Sequence, residues 1–283
     1  MPESLQQFLS AVQQYRFLQY ALLTGVLASV ACGIVGSYVV ARRISYIAGG
    51  ISHCILGGMG AARYLQVVYG WQMAKPLYGA VAAALLAATI IGLVSLRAKQ
   101  REDTVIGALW AIGMAVGILF ISQTPGYSED LMSYLFGNIL MVRGSDLWLV
   151  IGLDALVVAV CVVFHNPLQA VCFDEEFARL RGLRVEFFYL LLLWITALTV
   201  VLLVTVVGIV MVIALLTLPA AVASHFSKTL KQMMVLSTLF CALFTAGGLA
   251  LSYSPNLPAG ATIIVLAGAT YLAVTLVRRL IRR

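Results

Sequence analysis

The stretch Phe187–Ala223 reads FFYLLLLWITALTVVLLVTVVGIVMVIALLTLPAAVA and contains no charged residue. An apolar helix of about 20 residues is enough to cross a lipid bilayer, so this stretch is too long for one ordinary span. Gly208 lies within it, and glycine permits a tight turn. We therefore expect two consecutive membrane helices that meet at Gly208.

The composition of the whole chain agrees with a membrane protein. Hydrophobic residues make up 62% of the 283 residues and charged residues only 10%, whereas soluble domains carry about 25% charged residues. In a bilayer the backbone must pair its polar groups within helices or a closed barrel. The apolar runs are far longer than a barrel strand of ~10 residues. We expect an all-α polytopic membrane protein, with residues 1–283 forming a single transmembrane domain.

Eight segments have the length and hydropathy of membrane helices. They are, approximately, Phe17–Val40, Leu77–Leu96, Val105–Ser122, Leu147–Phe164, Phe187–Val207, Gly208–Ala223, Met233–Ser252 and Ala261–Val277. The first is longer than a signal-peptide core of about 7–15 residues, so we expect it to be retained. The segment Ile44–Tyr69 is ambiguous because it is rich in glycine and contains His53 and Arg63. If it spans, nine helices cross and the N-terminus is outside; if it re-enters, eight cross and the N-terminus is inside.

The basic residues indicate the orientation of these helices. The chain has a formal net charge of +7, but its arginines and lysines lie at the ends of apolar runs, as topology signals for the cytoplasmic side do. This pattern argues against a nucleic-acid partner. Arg278–Arg283 place the C-terminus in the cytoplasm, and alternation then places the polar segment near residue 174 inside and the Gln123–Asp146 loop outside.

The polar segment Phe173–Leu183 is predicted to form a short amphipathic helix on the cytoplasmic face. Phe173, Phe177 and Leu180 follow i, i+4, i+7 spacing, and Gly182 suits a helix C-terminus. The order of charges matches the helix dipole: Asp174, Glu175 and Glu176 come first, and Arg179 and Arg181 follow. Either a docking surface or an ordinary interfacial connector explains this pattern.

Two ionisable residues are candidates for chemistry within the membrane. Neutral imidazole binds zinc, iron and manganese, so His53 is a candidate ligand, although a hydrogen bond to a backbone carbonyl would also explain it. Asp154 lies mid-way along its span, where a carboxylate is costly. It is expected to face the bundle interior and to pair with Arg63 or Arg143, as a structural link, a pathway residue or a proton site.

The outer loop Gln123–Asp146 contains residues whose functional interpretation is weaker. Glu129 and Asp130 are explained by a solvated loop, or by a role in receiving a binding protein or guiding cations. Leu131–Val142 is too short to span and predicts a half-helix on the outer side. No Gly-x-x-x-x-Gly-Lys motif occurs, so ATP is not expected to bind through a phosphate-binding loop of this kind.

Several motifs, in order, resemble the permease subunits of ATP-binding-cassette importers for zinc, manganese and iron. The matching stretches are Ser52–Gly58, Tyr134–Leu140 (YLFGNIL), Asp174–Gly182, Val207–Ala221 (VGIVMVIALLTLPAA) and Leu257–Gly260 (LPAG). The likeness covers nearly the whole chain, and the order and spacing of the motifs make it specific.

This resemblance implies a pore subunit that performs no covalent chemistry, binds no permanent cofactor and transports a divalent metal ion. It implies a homodimer in the inner (plasma) membrane of a prokaryote, an ATPase subunit that hydrolyses ATP, and an extracytoplasmic metal-binding protein. The ATPase would dock on a coupling helix at about 173–183, through Asp174, Glu175, Glu176, Phe177, Ala178, Arg179 and Gly182. Gly208, Pro219, Pro258 and Gly260 would shape helix turns.

One departure from the family pattern concerns the metal pathway. The family has an aspartate four residues before the histidine, and Gly49 occupies that position here. The resemblance implies His53 as the pathway residue, with Cys54, Met59 or Asp154 as possible helpers, or a site shared with a second subunit. The alternative from another class is a proton-coupled secondary transporter that uses Asp154. An intramembrane metalloenzyme is disfavoured because no His-Glu-x-x-His motif occurs.

Overall fold

The computed structural model describes residues 3–97, 102–125, 142, 144–255 and 257–281. Within these ranges all regular structure is helical. The helices are α1 Glu3–Gln14, α2 Arg16–Arg42, α3 Ser45–Val68, α4 Pro76–Arg97, α5 Glu102–Ser122, α6 Gly144–Val163, α7 His165–Phe173, α8 Glu175–Leu180, α9 Val185–Val207, α10 Ile209–Ser224, α11 Leu230–Tyr253 and α12 Ala259–Ile281.

The expected membrane segments are helices whose ends lie within a few residues of the predicted ones. Six helices in the described part of the chain are long and apolar enough to cross a membrane, and the bent pair α6 and α7 raises this to as many as seven. The glycine-rich segment forms one continuous helix, α3, of 24 residues. α10 is a shorter apolar helix of 16 residues. The polytopic all-α prediction is therefore confirmed, although the eight or nine spans are not established by length and hydropathy.

Two details differ from the expectations. The span expected at Leu147–Phe164 ends at Val163, and α7 continues from it at an angle of 75°. α7 then ends at Phe173, and Asp174 has an extended backbone (φ −152°, ψ 101°) before α8 begins. The helix expected at about 173–183 is therefore shorter, Glu175–Leu180, because Asp174 ends one helix and caps the next.

The chain divides into two compact units. The first unit contains Met1–Ala41, Met132–Val163 and Leu202–Arg283. In it α10, α11 and α12 pack together around Val222, Phe244 and Ala267. α2 packs closely on α11, where Gly33 lies against the backbone of Thr238. α1 rests on the end of α11 through an edge-to-face contact of Phe8 with Tyr253, with ring centroids 5.8 Å apart.

The second unit contains Arg42–Leu131 and Phe164–Val201. In it α3 lies against both α4 and α5. The residue numbers of the contacting positions increase together along α3 and α5. Gly50 lies against Ile106, Gly57 against Gly113 and Gly60 against Gly117. α3 and α5 therefore run in the same direction, with α4 running the opposite way.

The start of α9 packs on the end of α4 within the second unit. Trp194 Nε1 donates a hydrogen bond to Thr89 Oγ1 at 3.0 Å. Gly92 leaves room for the side chains of Leu190 and Leu193. These contacts hold α9, the helix that follows the polar segment containing α8, against α4.

Candidate functional site

His53 lies on α3 at a point where neighbouring helices approach closely. A Cβ at Gly57 would lie 2.8 Å from the carbonyl oxygen of Gly113 on α5, and one at Gly58 would collide with the carbonyl of Gly79 on α4. Only a residue without a side chain permits these approaches. The glycines therefore hold the helix of His53 between two neighbours.

The imidazole of His53 is buried against an aromatic ring. His53 is 8% exposed, and its ring stacks on that of Trp110 with centroids 4.1 Å apart and an angle of 14° between the planes. Nδ1 is buried and has no hydrogen-bond partner among the described residues. Buried polar atoms are nearly always paired, so this nitrogen is the atom best placed to meet a ligand. No sequence pattern singles out Trp110, because its contact with His53 joins separate helices.

The predicted helpers Cys54 and Met59 have different positions on α3 relative to His53. Cys54 Sγ donates to the carbonyl oxygen of Leu109 at 3.2 Å, so its thiol is directed toward α5. Met59 is half-buried and lies six positions from His53, about 120° around a helix of 3.6 residues per turn. Cys54 therefore faces the same helix as His53, with its thiol bonded to a backbone carbonyl, whereas Met59 does not share this face.

Asp154 is on α6 and belongs to the first unit. It is 8% exposed, and Oδ1 accepts a hydrogen bond from the backbone N–H of Ala31 at 3.2 Å. Oδ2 is buried and has no partner within the described part of the chain. Of its two expected partners, Arg63 donates to Gln66 of its own helix, and Arg143 lies outside the described residues.

Side chains of metal-binding type do not gather into one cluster here. No group of three or more His, Cys, Asp and Glu residues that could hold a metal ion occurs in the ranges that the structure describes. Stable metal sites in proteins use about four or more ligands.

α8 is a short helix with both ends capped. The side chain of Asp174 accepts a hydrogen bond from the backbone N–H of Phe177 at 2.9 Å, which is an N-cap. At the other end Leu183 N–H bonds to the Ala178 carbonyl and Gly182 N–H to the Arg179 carbonyl. Gly182 has φ +77°, and this pair of bonds around a left-handed glycine is the Schellman motif. Gly182 therefore ends the helix as its sequence position predicted.

The surface of α8 exposes apolar and charged side chains together. Phe173, Phe177 and Leu180 are 64%, 47% and 87% exposed, although Phe173 belongs to α7. Glu176, Arg179 and Gly182 are also exposed, and a cleft of about 600 Å³ lies between α7 and α8, lined by Phe173, Phe177 and Arg181. Ala178 differs because it is fully buried. It seats the helix on the protein and does not belong to the exposed surface.

Glu175 has a partner that the sequence did not indicate. It forms an ion pair with Arg42, which lies 133 positions earlier at the end of α2. The guanidinium of Arg42 also lies over the ring of Tyr189, 5.4 Å from its centroid. No sequence spacing connects residues so far apart, so only the structure identifies this contact.

Of the residues predicted to shape helix turns, some lie between helices and others lie inside a helix. Gly208 has φ +83° and separates α9 from α10, as expected for a glycine turn. Pro219, expected at a turn, lies inside α10. Pro258 directly precedes α12, where its carbonyl accepts the N–H of Thr262, and Gly260 lies in the first turn of that helix. Glu129, Asp130, Tyr134–Leu140 and the half-helix expected over Leu131–Val142 fall outside the described residues, apart from the isolated Val142.

Comparison with known proteins decides the family. A model of the ABC 3 transport family matches residues 14–278. The chain belongs to the ABC 3 transport family. The resemblance seen in the motifs is thereby confirmed, and the match includes His53, the whole of α8 and the Gly208 turn.

Relatives of this ABC 3 chain align with almost its full length. The manganese transport system membrane protein MntC of Listeria monocytogenes is 36% identical, over 92% of this chain and 90% of the relative. The manganese import system permease protein ScaB of Streptococcus gordonii is 33% identical, with 95% and 94% covered. Among solved structures, PsaBC from Streptococcus pneumoniae in complex with Fab matches with a TM-score of 0.83 and 32% identity, covering 95% of this chain and 94% of that one.

Proposed function

We propose that this chain is the membrane-spanning permease subunit of an ATP-driven importer for divalent transition-metal ions, that is manganese, zinc or iron. The observation that carries the proposal is the ABC 3 family match over residues 14–278. Two relatives are named for manganese, which favours Mn²⁺ as the cargo. The permease performs no covalent chemistry, and ATP is hydrolysed by a separate ATPase subunit.

Nine helices cross the membrane in this proposal. The six long apolar helices each count as one span. The bent pair α6–α7, α10 and α3 supply the other three. α3 has 24 residues, which at 1.5 Å per residue is about 36 Å and exceeds the ~30 Å hydrocarbon core. Its parallel packing on α5, with α4 antiparallel to it, is the arrangement expected of three consecutive spans. A re-entrant α3 would not require this geometry.

Two contacts support an outside N-terminus. Arg42, at the end of α2, pairs with Glu175 of α8, and the positive-inside rule puts α8 in the cytoplasm. α2 then runs inward, so the residues that precede it lie outside. Phe8 of α1 packs on Tyr253, which adjoins the uncharged loop before α12 that is assigned to the outside. Each contact lies within one unit, and both favour nine spans and a cytoplasmic C-terminus.

The cytoplasmic helix α8 is the docking site for the ATPase subunit. It combines exposed apolar side chains with charges, and its caps hold it in one conformation. A rigid helix of this kind loses little conformational entropy when a partner binds. Asp174 and Gly182 act by fixing the two ends, Ala178 by seating the helix, and Glu176, Phe177 and Arg179 by contacting the partner.

The ion passes His53, and a second copy of the chain completes its coordination. His53 presents an unpaired buried nitrogen, while Gly49 provides no carboxylate. Two copies would bring two such histidines to the pore of a homodimer, and an extracytoplasmic binding protein would deliver the ion from outside. Both compact units belong to the one permease, because the family match runs through both. The complex resides in the plasma (inner) membrane of a prokaryote.

Reconstitution tests the proposed function. The permease is co-purified with its ATPase subunit, placed in proteoliposomes and supplied with ATP and radioactive Mn²⁺, Zn²⁺ or Fe²⁺ together with the binding protein. We expect uptake that requires ATP and is greatest for Mn²⁺. Uptake that follows an imposed proton gradient without the ATPase subunit, and is lost in Asp154→Asn, would identify a secondary transporter and overturn the proposal.

A further inference from the structure

The ion pair between Arg42 and Glu175 joins two helix ends. Arg42 is the last residue of α2, and Glu175 is the first residue of α8. Their side chains are 23% and 31% exposed, so both charges are partly shielded from water. A charge pair attracts more strongly where water is partly excluded.

Arg42 is held from a second direction by α9. Its guanidinium lies over the ring of Tyr189 at 5.4 Å, within the range of a cation–π contact. Tyr189 is 2% exposed, and its hydroxyl is 3.1 Å from Ser95 Oγ at the end of α4. Arg42 is therefore fixed between α8 on one side and a rigid, buried tyrosine on the other.

Among the charged side chains of α8, Glu175 has a distinct environment. Glu176 and Arg179 are exposed, whereas Glu175 is half-buried and paired with Arg42. A helix of six residues has no stability of its own in water. Its position depends on the contacts that seat it, and the Arg42 pair is one of these.

Only two residues, Arg43 and Ile44, separate Arg42 from the next helix. Arg43 has φ +63°, a left-handed conformation that is uncommon for a residue other than glycine. α3 then begins at Ser45 and leads to His53. A displacement of Arg42 therefore acts on the corner between α2 and the helix that carries the candidate pathway histidine.

We propose that Arg42 is a positioning residue that transmits movement of α8 to the corner between α2 and α3. The inference rests on the proposed function of α8 as the ATPase docking site. When the ATPase subunits displace α8, Glu175 pulls on Arg42, and the α2–α3 corner moves with it. Glu175 then serves the link inside the permease and does not contact the ATPase.

The experiment measures coupling in the reconstituted complex of permease and ATPase subunit. The quantity is the number of Mn²⁺ ions taken up per ATP hydrolysed, recorded with the amount of co-purified ATPase. We expect Arg42→Ala and Glu175→Gln to keep the ATPase bound and hydrolysing ATP while the ratio falls by at least about fivefold, the lower end of typical coupling between sites. The charge-swapped pair Arg42→Glu with Glu175→Arg is expected to restore most of the ratio.

Arg43→Ala is the matched control. It removes the same charge from the adjacent position, whose side chain is exposed, and it is expected to keep the wild-type ratio. An unchanged ratio in Arg42→Ala would overturn the inference. If Arg42→Ala loses the ATPase subunit instead, the swapped pair decides: recovery of binding and ratio supports the link, and no recovery refutes it. Absence of ATP-dependent uptake by the wild-type complex would refute the proposed function, a separate result.

Discussion

His53 combines features that rarely occur together in a structural histidine. Its ring is stacked on Trp110, it is 8% exposed, and its Nδ1 has no partner among the described residues. A histidine kept only for packing would normally have that nitrogen satisfied, because leaving it unpaired costs about 1–3 kcal/mol. The unpaired nitrogen supports the pathway role proposed for His53.

His53→Ala is therefore expected to lower ATP-dependent Mn²⁺ uptake by about tenfold or more, a loss typical of perturbed metal sites. The ATPase subunit should remain bound, because α8 is unaffected. Cys54→Ser is the matched comparison, since a hydroxyl can keep the hydrogen bond to the Leu109 carbonyl. Normal uptake in His53→Ala would remove this residue from the pathway, and a loss in Cys54→Ser would make the thiol a helper.

Trp110 is expected to orient the His53 ring. Trp110→Leu removes the aromatic face, and Trp110→Phe keeps a smaller one. The Mn²⁺ concentration for half-maximal uptake should rise by a factor of about 2 to 10 in the Leu variant, which corresponds to the ~0.5–1.5 kcal/mol of an aromatic contact. The Phe variant should lie closer to wild type. Equal effects of Phe and Leu would show that volume matters here and the aromatic face does not.

At the residue scale, the sequence predicts the side chains whose chemistry is unusual for their surroundings. His53 and Asp154 stand out because ionisable groups are rare in apolar segments, and Gly208 because it interrupts a long run. Trp110 and Arg42 are ordinary in their own segments. Their roles come from contacts with His53 on another helix and with Glu175, 133 positions away. Such pairings depend on helix packing, which residue spacing does not encode.

At the element scale, α8 depends on the small side chain of Ala178. This residue is fully buried, so an arginine there would force the helix away from its seat. Ala178→Arg is expected to abolish co-purification of the ATPase subunit and ATP-dependent uptake, while the permease remains in the membrane. Ala178→Ser, which adds one atom, should retain both. Unimpaired uptake in Ala178→Arg would contradict docking at α8.

The packing of α3 on α4 depends on the close approach of Gly58 and Gly79. A Cβ on either residue would collide with the carbonyl of the other, so Gly58→Ala forces the helices apart. Overpacking of this kind costs about 1–3 kcal/mol, measurable as earlier thermal aggregation of the detergent-solubilised protein. Gly268→Ala on α12 is the control, because a Cβ there meets nothing within 4 Å. A similar loss for both substitutions would contradict the steric explanation.

Among the elements, hydropathy predicts the long membrane helices but not the short ones around α8. Some long helices end at charged residues, as α4 does at Arg97, and others at turn-forming residues, as α9 does before Gly208. The division between α7 and α8 depends instead on the backbone of Asp174, whose side chain is compatible with a helix start or a helix interior. Hydropathy does not predict α1 either, because the burial of this helix depends on the contact of Phe8 with Tyr253.

At the scale of the whole molecule, the question left open by the sequence is the side on which the chain begins. Both a nine-span and an eight-span chain place the loop around Met73 outside and α8 inside. They differ in the segment before α2, which lies outside in the nine-span arrangement, and in the turn after Arg42, which lies inside in that arrangement. The contacts of Arg42 with Glu175 and of Phe8 with Tyr253 both favour nine spans.

Accessibility to a membrane-impermeant maleimide tests this topology in whole cells. The five native cysteines are buried and form no disulfide, so the unmodified chain should react little. Single cysteines are introduced at Gln13 in α1, at Met73 as the outside reference and at Leu180 of α8 as the inside reference; all three positions are exposed. We expect Gln13→Cys and Met73→Cys to react in intact cells and Leu180→Cys to react only after permeabilisation. If Gln13→Cys behaves like Leu180→Cys, α3 does not span and the chain crosses eight times. Because Arg42 would then end α2 on the outside, that result would also remove the ion pair with the cytoplasmic α8 and the coupling assigned to it.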